Sequence, residues 1–117
     1  IVVSQMKFFE QGRIVMAILD RVTQMKHNFS ADAYKGIVDF LRDQEGVEVA
    51  IFIKERWDGV GLRTSFRSQK LVDVATICER LGGGGHKNAA GCLVKGTYYS
   101  VGNELLDLTR EALRTTK

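Results

Sequence analysis

The hydrophobic and polar positions of the chain repeat with two different periods, which predicts a mixture of strands and helices. Arg13 to Leu19 (RIVMAIL) is apolar throughout, as is typical of a strand covered on both faces. Val47 to Glu55 (VEVAIFIKE) and the segment GVGLRTSFR alternate with period two, and Asp58-Gly59 between them predicts a tight turn. Ala89 to Val94 (AAGCLV) predicts a further strand, whose small residues allow close approach of a neighbouring backbone.

Three helices are predicted around these strands. Ser30 is the expected cap of a helix from Ala31 to about Gln44, because apolar residues recur there at helical spacing. Asp73 is expected to cap a short helix that ends at Gly82, and Ser100 to cap a final helix. The mixed order of the elements predicts an α/β (or α+β) fold, with a single mixed β-sheet of about four to five strands flanked by helices.

Length and composition favour one globular domain. The chain has 117 residues, of which 44% are hydrophobic and 26% charged. No apolar run reaches the ~18 residues of a membrane span and no secretory signal pattern opens the chain, so we expect a cytoplasmic protein that does not act at a membrane. The apolar start without methionine indicates part of a longer protein. Residues 1–12 are interpreted as the remnant of a linker from a preceding domain, and residues 13–117 as the domain itself.

Residues 82–91, with the sequence GGGGHKNAAG, are the most informative segment for function. Four consecutive glycines weaken a fold unless the backbone needs positive φ angles or close approach to another group. Successive amides in a glycine turn can bind an anion, and His86, Lys87 and Asn88 add donors at its rim. We therefore predict phosphate binding here. The spacing excludes a Walker phosphate loop, since no Gly-Lys-Ser/Thr follows at the required position.

A second set of polar residues precedes the glycines. Arg63, Ser65 and Arg67 share one face of a predicted strand, and Ser68 follows them. The planar fork of arginine suits phosphate, so Arg67 is predicted to contact the ligand, whereas Arg63 is interpreted as a solvated residue. Phe52 and Trp57 could stack on a base, although Trp57 is better explained as a cover for the hairpin.

The sequence offers no convincing catalytic centre or metal site. His27 and His86 are the only histidines, and no nucleophile elbow or HExxH motif is present. His27 is interpreted as a solvated loop residue. Cys78 and Cys92 lie in apolar patterns and are expected to be buried thiols.

The run Arg67 to Cys92 (RSQKLVDVATICERLGGGGHKNAAGC) resembles the C-terminal DHH-associated domain of the DHH phosphoesterase superfamily. It looks most like the domain in bacterial oligoribonucleases that also remove a phosphate from adenosine 3′,5′-bisphosphate. The resemblance implies that the matching residues bind substrate phosphate or the terminal nucleotide: Arg67, Ser68, Gly83, Gly84, Gly85, His86 and Asn88.

The resemblance also implies a division of labour in a longer enzyme. An N-terminal Asp-His-His domain would hold two Mn(II) ions and carry out phosphoester hydrolysis, while this domain would bind short RNA or a nucleotide phosphate and no cofactor of its own. The Asp-His-His motif does not occur in this sequence, so the fragment alone is not expected to be an enzyme. Two alternatives stay open, namely a domain used mainly for interdomain packing or homodimerisation, and part of a polyphosphate-hydrolysing phosphatase.

Overall fold

The structure of the chain is a computed structural model that describes residues 6–27, 30–56 and 60–116. Within these ranges it contains six strands and four helices, which follow one another as β1 (Lys7–Phe9), β2 (Ile14–Leu19), α1 (Arg21–His27), α2 (Ala31–Arg42), β3 (Val49–Glu55), β4 (Leu62–Ser68), α3 (Val74–Arg80), β5 (Gly84–His86), β6 (Ala89–Val94) and α4 (Tyr98–Thr115). The strands form one sheet, so the predicted fold class is confirmed, with slightly more strands than expected.

The sheet is mixed, with the strand order β1-β2-β3-β4-β6-β5. β2 and β3 are parallel, and the other neighbouring pairs are antiparallel. A parallel pair needs a crossover connection, and α1 and α2 supply it. Strands β5 and β6 are consecutive in the chain and lie at one edge, which leaves β5 as the edge strand.

Helices cover both faces of the sheet. On one face, α3 and α4 pack on a large apolar cluster centred on Ile51, Phe66 and Leu105, each fully buried. On the other face, α2 packs on a smaller cluster that contains Leu41 and Phe52. This double cover explains why β2 is apolar throughout and why β3 is buried on both faces from Val49 to Ile53. Phe52, at 2% exposure, lies beneath α2 and cannot serve as a platform for a base.

Two of the three predicted helix caps are confirmed. The Ser30 side chain accepts a hydrogen bond from the amide of Ala33, and Asp73 Oδ1 accepts from the amide of Ala75. The prediction for α4 was wrong, because its cap is Thr97 and Ser100 lies in its first turn. Thr97 Oγ1 accepts the Ser100 amide at 3.1 Å, so the earlier hydroxyl residue takes the capping role.

Three short elements do not follow from the hydrophobic pattern. β1 lies within the segment interpreted as a linker remnant and pairs with β2. α1 contains His27, which was expected in a loop. It is anchored by Gln24, whose side-chain amide donates to the carbonyl of Glu55 at 2.7 Å. β5 includes two of the glycines expected in a turn. The predicted Asp58-Gly59 turn and Trp57 lie outside the described residues.

No helix in the described part of the chain is both long enough and apolar enough to cross a membrane.

Candidate functional site

The first two glycines of the run end helix α3. The amide of Gly82 donates to the carbonyl of Glu79 at 3.2 Å, and the amide of Gly83 donates to the carbonyl of Cys78 at 2.8 Å. Gly82 has φ +86°, so the pair forms a Schellman motif, the usual glycine cap of a helix C-terminus. These two amides are therefore occupied by helix carbonyls. An anion-binding turn, as predicted for this run, therefore cannot use the amides of Gly82 and Gly83.

The rest of the run is a β-hairpin. β5 and β6 are antiparallel, and the pair His86 and Ala89 encloses a two-residue turn, Lys87-Asn88. Backbone hydrogen bonds hold this turn in place. Ser68 donates its amide to the carbonyl of Asn88 at 3.1 Å, and Val74 donates its amide to the carbonyl of Lys87 at 2.8 Å. The turn is thereby tied to the end of β4 and to the start of α3.

The fold requires glycine at positions 83 and 85 of the run. A β-carbon at Gly83 would lie 2.2 Å from the carbonyl oxygen of Gly91, and one at Gly85 would lie 2.6 Å from the Cα of Ala90. Gly85 also has φ +146°, which side chains rarely adopt. Gly84 differs from both, because a β-carbon there meets nothing within 4 Å. The packing of the described residues therefore does not explain why position 84 is glycine.

Arg67, Ala89 and His86 form one row across three strands. Arg67 is the register partner of Ala89 on β6, and Ala89 is the register partner of His86 on β5. Register partners present their side chains on the same sheet face. With strands about 4.8 Å apart, the Cα atoms of Arg67 and His86 lie roughly 10 Å from each other, with only a methyl group between them.

A parallel row lies next to this one and contains Ser65, Gly91 and Gly84. Ala89, Gly91 and Gly84 thus make a low floor beside Arg67 and His86, whereas the register partner of Arg63 is the larger Leu93. We call this side of β4, β6 and β5 the polar face; its members are Arg63, Ser65, Arg67, Ala89, Gly91, Leu93, Gly84 and His86. The floor gives a ligand access to the backbone, and the rims offer cationic and imidazole groups.

Arg67 is held in place by its neighbours but keeps donors for a ligand. Its Nη1 donates to the carbonyl of Phe66 at 2.9 Å, and its Nε lies 4.0 Å from Asp39 Oδ1 on α2. Asp39 is shared with Arg42, whose Nη1 lies 3.5 Å away. The Arg67 side chain is 21% exposed, and a guanidinium has five N–H donors, so part of the fork stays accessible. His86 is exposed.

Ser68 lies on the opposite side of β4 and in the interior. It is 3% exposed, and its hydroxyl donates to the carbonyl of Val72 at 2.7 Å. The Asn88 side-chain amide donates to the Ser68 oxygen at 3.0 Å. Direct phosphate contact was predicted for both residues, but their hydrogen bonds link β4 to the hairpin turn.

Glu48 is a supporting residue that the sequence did not reveal. It is 8% exposed, and its Oε2 accepts the amides of Lys70, Leu71 and Val72 at 3.1, 2.8 and 3.1 Å. A buried carboxylate that accepts three amides fixes the loop between Ser68 and α3. Nothing in a linear sequence distinguishes this glutamate from an exposed one beside a strand.

Cys78 and Cys92 are buried free thiols, as predicted. Cys92 Sγ lies 2.8 Å from Thr64 Oγ1. Within the described ranges, no group of three or more His, Cys, Asp or Glu side chains comes together in a way that could hold a metal ion.

The geometry defines a class of domain. It is a mixed sheet in which the glycine-rich hairpin β5–β6 and the arginine-bearing strand β4 share one accessible face. Comparison with known proteins identifies the family. The chain belongs to the DHHA1 domain family, whose model matches residues 11–115, and DHHA1 is the accessory domain of DHH-family phosphoesterases. The predicted membership is therefore confirmed.

A named relative and two solved structures resemble this chain. The bifunctional oligoribonuclease and PAP phosphatase NrnA of Thermus thermophilus is 33% identical over 113 residues, which cover 96% of this chain and 33% of the relative. An exopolyphosphatase-related protein from Bacteroides fragilis superposes with TM-score 0.77 at 24% identity, covering 97% of this chain and 32% of that one. The pGpG-specific phosphodiesterase PggH from Vibrio cholerae gives TM-score 0.67 at 13% identity, covering 93% and 35%. The chain thus spans about a third of the length of these proteins.

Proposed function

We propose that this chain is the substrate-binding domain of a DHH-family phosphoesterase and that its polar face holds a phosphate of a nucleotide or a short single-stranded oligonucleotide. The observation that carries the proposal is the row in which Arg67 and His86 flank Ala89. A phosphate lying over the alanine would have a guanidinium on one side and an imidazole on the other.

The chemistry of these groups suits a phosphate monoester or diester. Arg67 offers a planar fork that can donate two parallel hydrogen bonds to phosphate oxygens. His86 offers a further donor, and Gly84 leaves the adjacent floor open for a sugar or a base. Binding of this kind weakens as salt rises, because counterions are released when cations contact phosphates.

Ser68, Asn88, Gly83 and Gly85 take supporting roles in this proposal. Ser68 and Asn88 hold the turn after His86, and the two glycines allow β5 to approach β6 closely. Their contribution is preorganisation, which lowers the entropic cost of binding. Gly84, Arg67 and His86 are the residues proposed to touch the ligand.

Hydrolysis belongs to another part of the protein in this proposal. An N-terminal DHH domain would hold Mn(II) and cleave the phosphoester in the cytoplasm, while this domain positions the substrate, which can accelerate a reaction considerably. The name of the Thermus relative, an oligoribonuclease and PAP phosphatase, supports nucleotide phosphates as the ligand class.

Titration of the chain with adenosine 3′,5′-bisphosphate and with a short 5′-phosphorylated RNA tests the proposal. We expect chemical-shift changes at the amides of Gly84 to Ala89, and roughly tenfold weaker binding for Arg67→Ala, the effect of removing one charge-assisted hydrogen bond. His86→Ala should also weaken binding. Arg114→Ala is the matched control, because Arg114 is an exposed arginine on α4. Unchanged shifts at millimolar ligand would contradict the proposal.

A further inference from the structure

Two cations lie directly opposite each other near the Arg63 end of the polar face. Lys54 on β3 and Arg63 on β4 are register partners, so their side chains project from the same side of the sheet. Like charges at opposed positions destabilise an antiparallel pair. Both side chains nevertheless lie on the same face of the sheet as Arg67.

Neither charge is neutralised within the described part of the chain. Arg67 has Asp39 beside it, but no ion pair involves Lys54 or Arg63 among the described residues. The Lys54 ammonium lies 4.0 Å from the centre of the Tyr34 ring, which orients it without cancelling its charge. Burial, and then the nearby charge of Arg63, lower the pKa of Lys54. Arg63 is exposed, so solvent screens the repulsion between the two charges, and an anion bound between them would reduce it further.

The cluster borders a cavity of about 130 Å³ between α2 and the sheet. Its lining includes four cations and no carboxylate among the described residues, and the cations are Lys35, Lys54, Arg63 and Arg67. An open, cationic cavity with aromatic and apolar walls fits an anion attached to a larger organic group.

Arg67 lines both this cavity and the row that contains His86, whereas Lys54 and Arg63 lie at the other end of the cavity. Arg63 and Arg67 are four residues apart on β4, which corresponds to roughly 14 Å at 3.4 Å per residue. A phosphate held over Ala89 between Arg67 and His86 leaves Lys54 and Arg63 for another phosphate group. On the basis of the proposed function, we infer that Lys54 and Arg63 bind a second phosphate of the same single-stranded oligonucleotide, one or more nucleotides from the first.

This inference predicts that affinity depends on ligand length. Wild-type protein should bind a 5′-phosphorylated tri- or tetranucleotide more tightly than adenosine 5′-monophosphate, because only the longer ligands reach both phosphate sites. In the double variant Lys54→Gln/Arg63→Gln, most of that gain should disappear, a decrease of roughly tenfold for each charge-assisted hydrogen bond that is lost. For the longer ligands, the slope of log K against log salt concentration should be shallower by about 0.7 for each phosphate that the protein no longer neutralises. Mononucleotide binding should stay within about twofold of wild type.

Two control proteins separate this effect from net charge and misfolding. Arg80→Gln/Arg114→Gln removes the same charge from α3 and α4, which pack on the other face, and should bind the length series like wild type. The swapped pair Lys54→Arg/Arg63→Lys keeps both cations and should keep the length dependence. The Gln double variant should unfold at a denaturant concentration no lower than wild type, because it loses a like-charge pair.

The possible outcomes distinguish this inference from the proposed function. If the Gln double variant retains the full gain with length while Arg67→Ala weakens every ligand, the second phosphate site is wrong and the proposed function stands. If the double variant weakens the mononucleotide as much as the longer ligands, Lys54 and Arg63 belong to the first phosphate site and the inference also fails. If Arg67→Ala changes no affinity, the proposed function itself fails.

Discussion

Arg67 on β4 and His86 on β5 are both register partners of Ala89, which lies between them on β6. They are well separated in the chain, yet in the sheet their Cα atoms lie about 10 Å apart, which is two strand spacings. The residue between them has only a methyl group, so nothing on β6 obstructs the space that they share. This arrangement makes the row a candidate phosphate site and leads to predictions that separate ligand contact from structural support.

Gly84 is expected to matter for ligand binding, whereas Gly83 and Gly85 are expected to matter for stability. Gly84→Ala should leave stability unchanged or raise it by up to about 1 kcal/mol, because alanine loses less conformational entropy on folding. It should also weaken ligand binding, since its methyl group enters the polar face. Gly85→Ala should be clearly destabilising, because the backbone has φ +146° and Ala90 lies too close. Urea unfolding and calorimetric titration of the two variants measure both effects. Strong destabilisation by Gly84→Ala would contradict this assignment.

Ser68 is expected to contribute more to stability than to binding. Ser68→Ala removes a donor to the Val72 carbonyl and an acceptor for the Asn88 amide, and both partners are left without their hydrogen bond. The free energy of unfolding should fall by about 1–3 kcal/mol. Affinity, measured well below the melting temperature, should change less than it does for Arg67→Ala. A stable Ser68→Ala protein that no longer binds would instead indicate direct contact between Ser68 and the ligand.

Glu55 should make stability depend on pH in the acidic range. A hydrogen bond from the Tyr98 hydroxyl, and then one from the amide of Arg21, lower the pKa of Glu55 from its usual 4.5. Because the folded state favours the ionised form, this stabilisation is present above the usual pKa and is lost as pH falls through the lower, folded value. Urea unfolding from neutral pH to about pH 3 should show the loss in wild type and a smaller one in Glu55→Gln.

Asp20 also contributes to the pH dependence of stability, in both wild type and Glu55→Gln. Its pKa is also lowered, chiefly by a hydrogen bond from the backbone amide of Thr23, so its contribution to stability falls in the same direction on acidification. Since Asp20 is present in both proteins, the difference between wild type and Glu55→Gln reports Glu55 together with its electrostatic coupling to Asp20. Identical pH profiles for the two proteins would show that its hydrogen bonds contribute nothing.

The two thiols should react only when the protein opens. Cys78 is fully buried and Cys92 is 5% exposed. A hydrogen bond with Cys92, together with burial, raises the pKa of Cys78 and keeps that thiol protonated. Labelling with a thiol reagent should therefore be slow in native protein and should accelerate with added urea, in step with unfolding. Rapid labelling of the folded protein without denaturant would contradict the buried position.

Much of the fold could be predicted from local patterns. The long apolar runs identify β2 and β3, and Ser30 and Asp73 cap their helices because a side chain and an amide three or fewer residues away decide that interaction. Gly82 was correctly placed at the end of α3 for the same reason. The resemblance around GGGGHKNAAG was sufficient to assign the family, which the match over residues 11–115 confirms.

The tertiary structure alone decided how the glycines and the polar residues are used. Whether a glycine amide caps a helix, pairs in a strand or faces a ligand depends on neighbours distant in sequence, so the run could not be divided into its separate roles beforehand. The same holds for Ser68 and Glu48, whose interior positions follow from the loop folded around them. The opposition of Lys54 and Arg63 is a matter of strand register, which long-range pairing determines and which no short stretch of sequence contains.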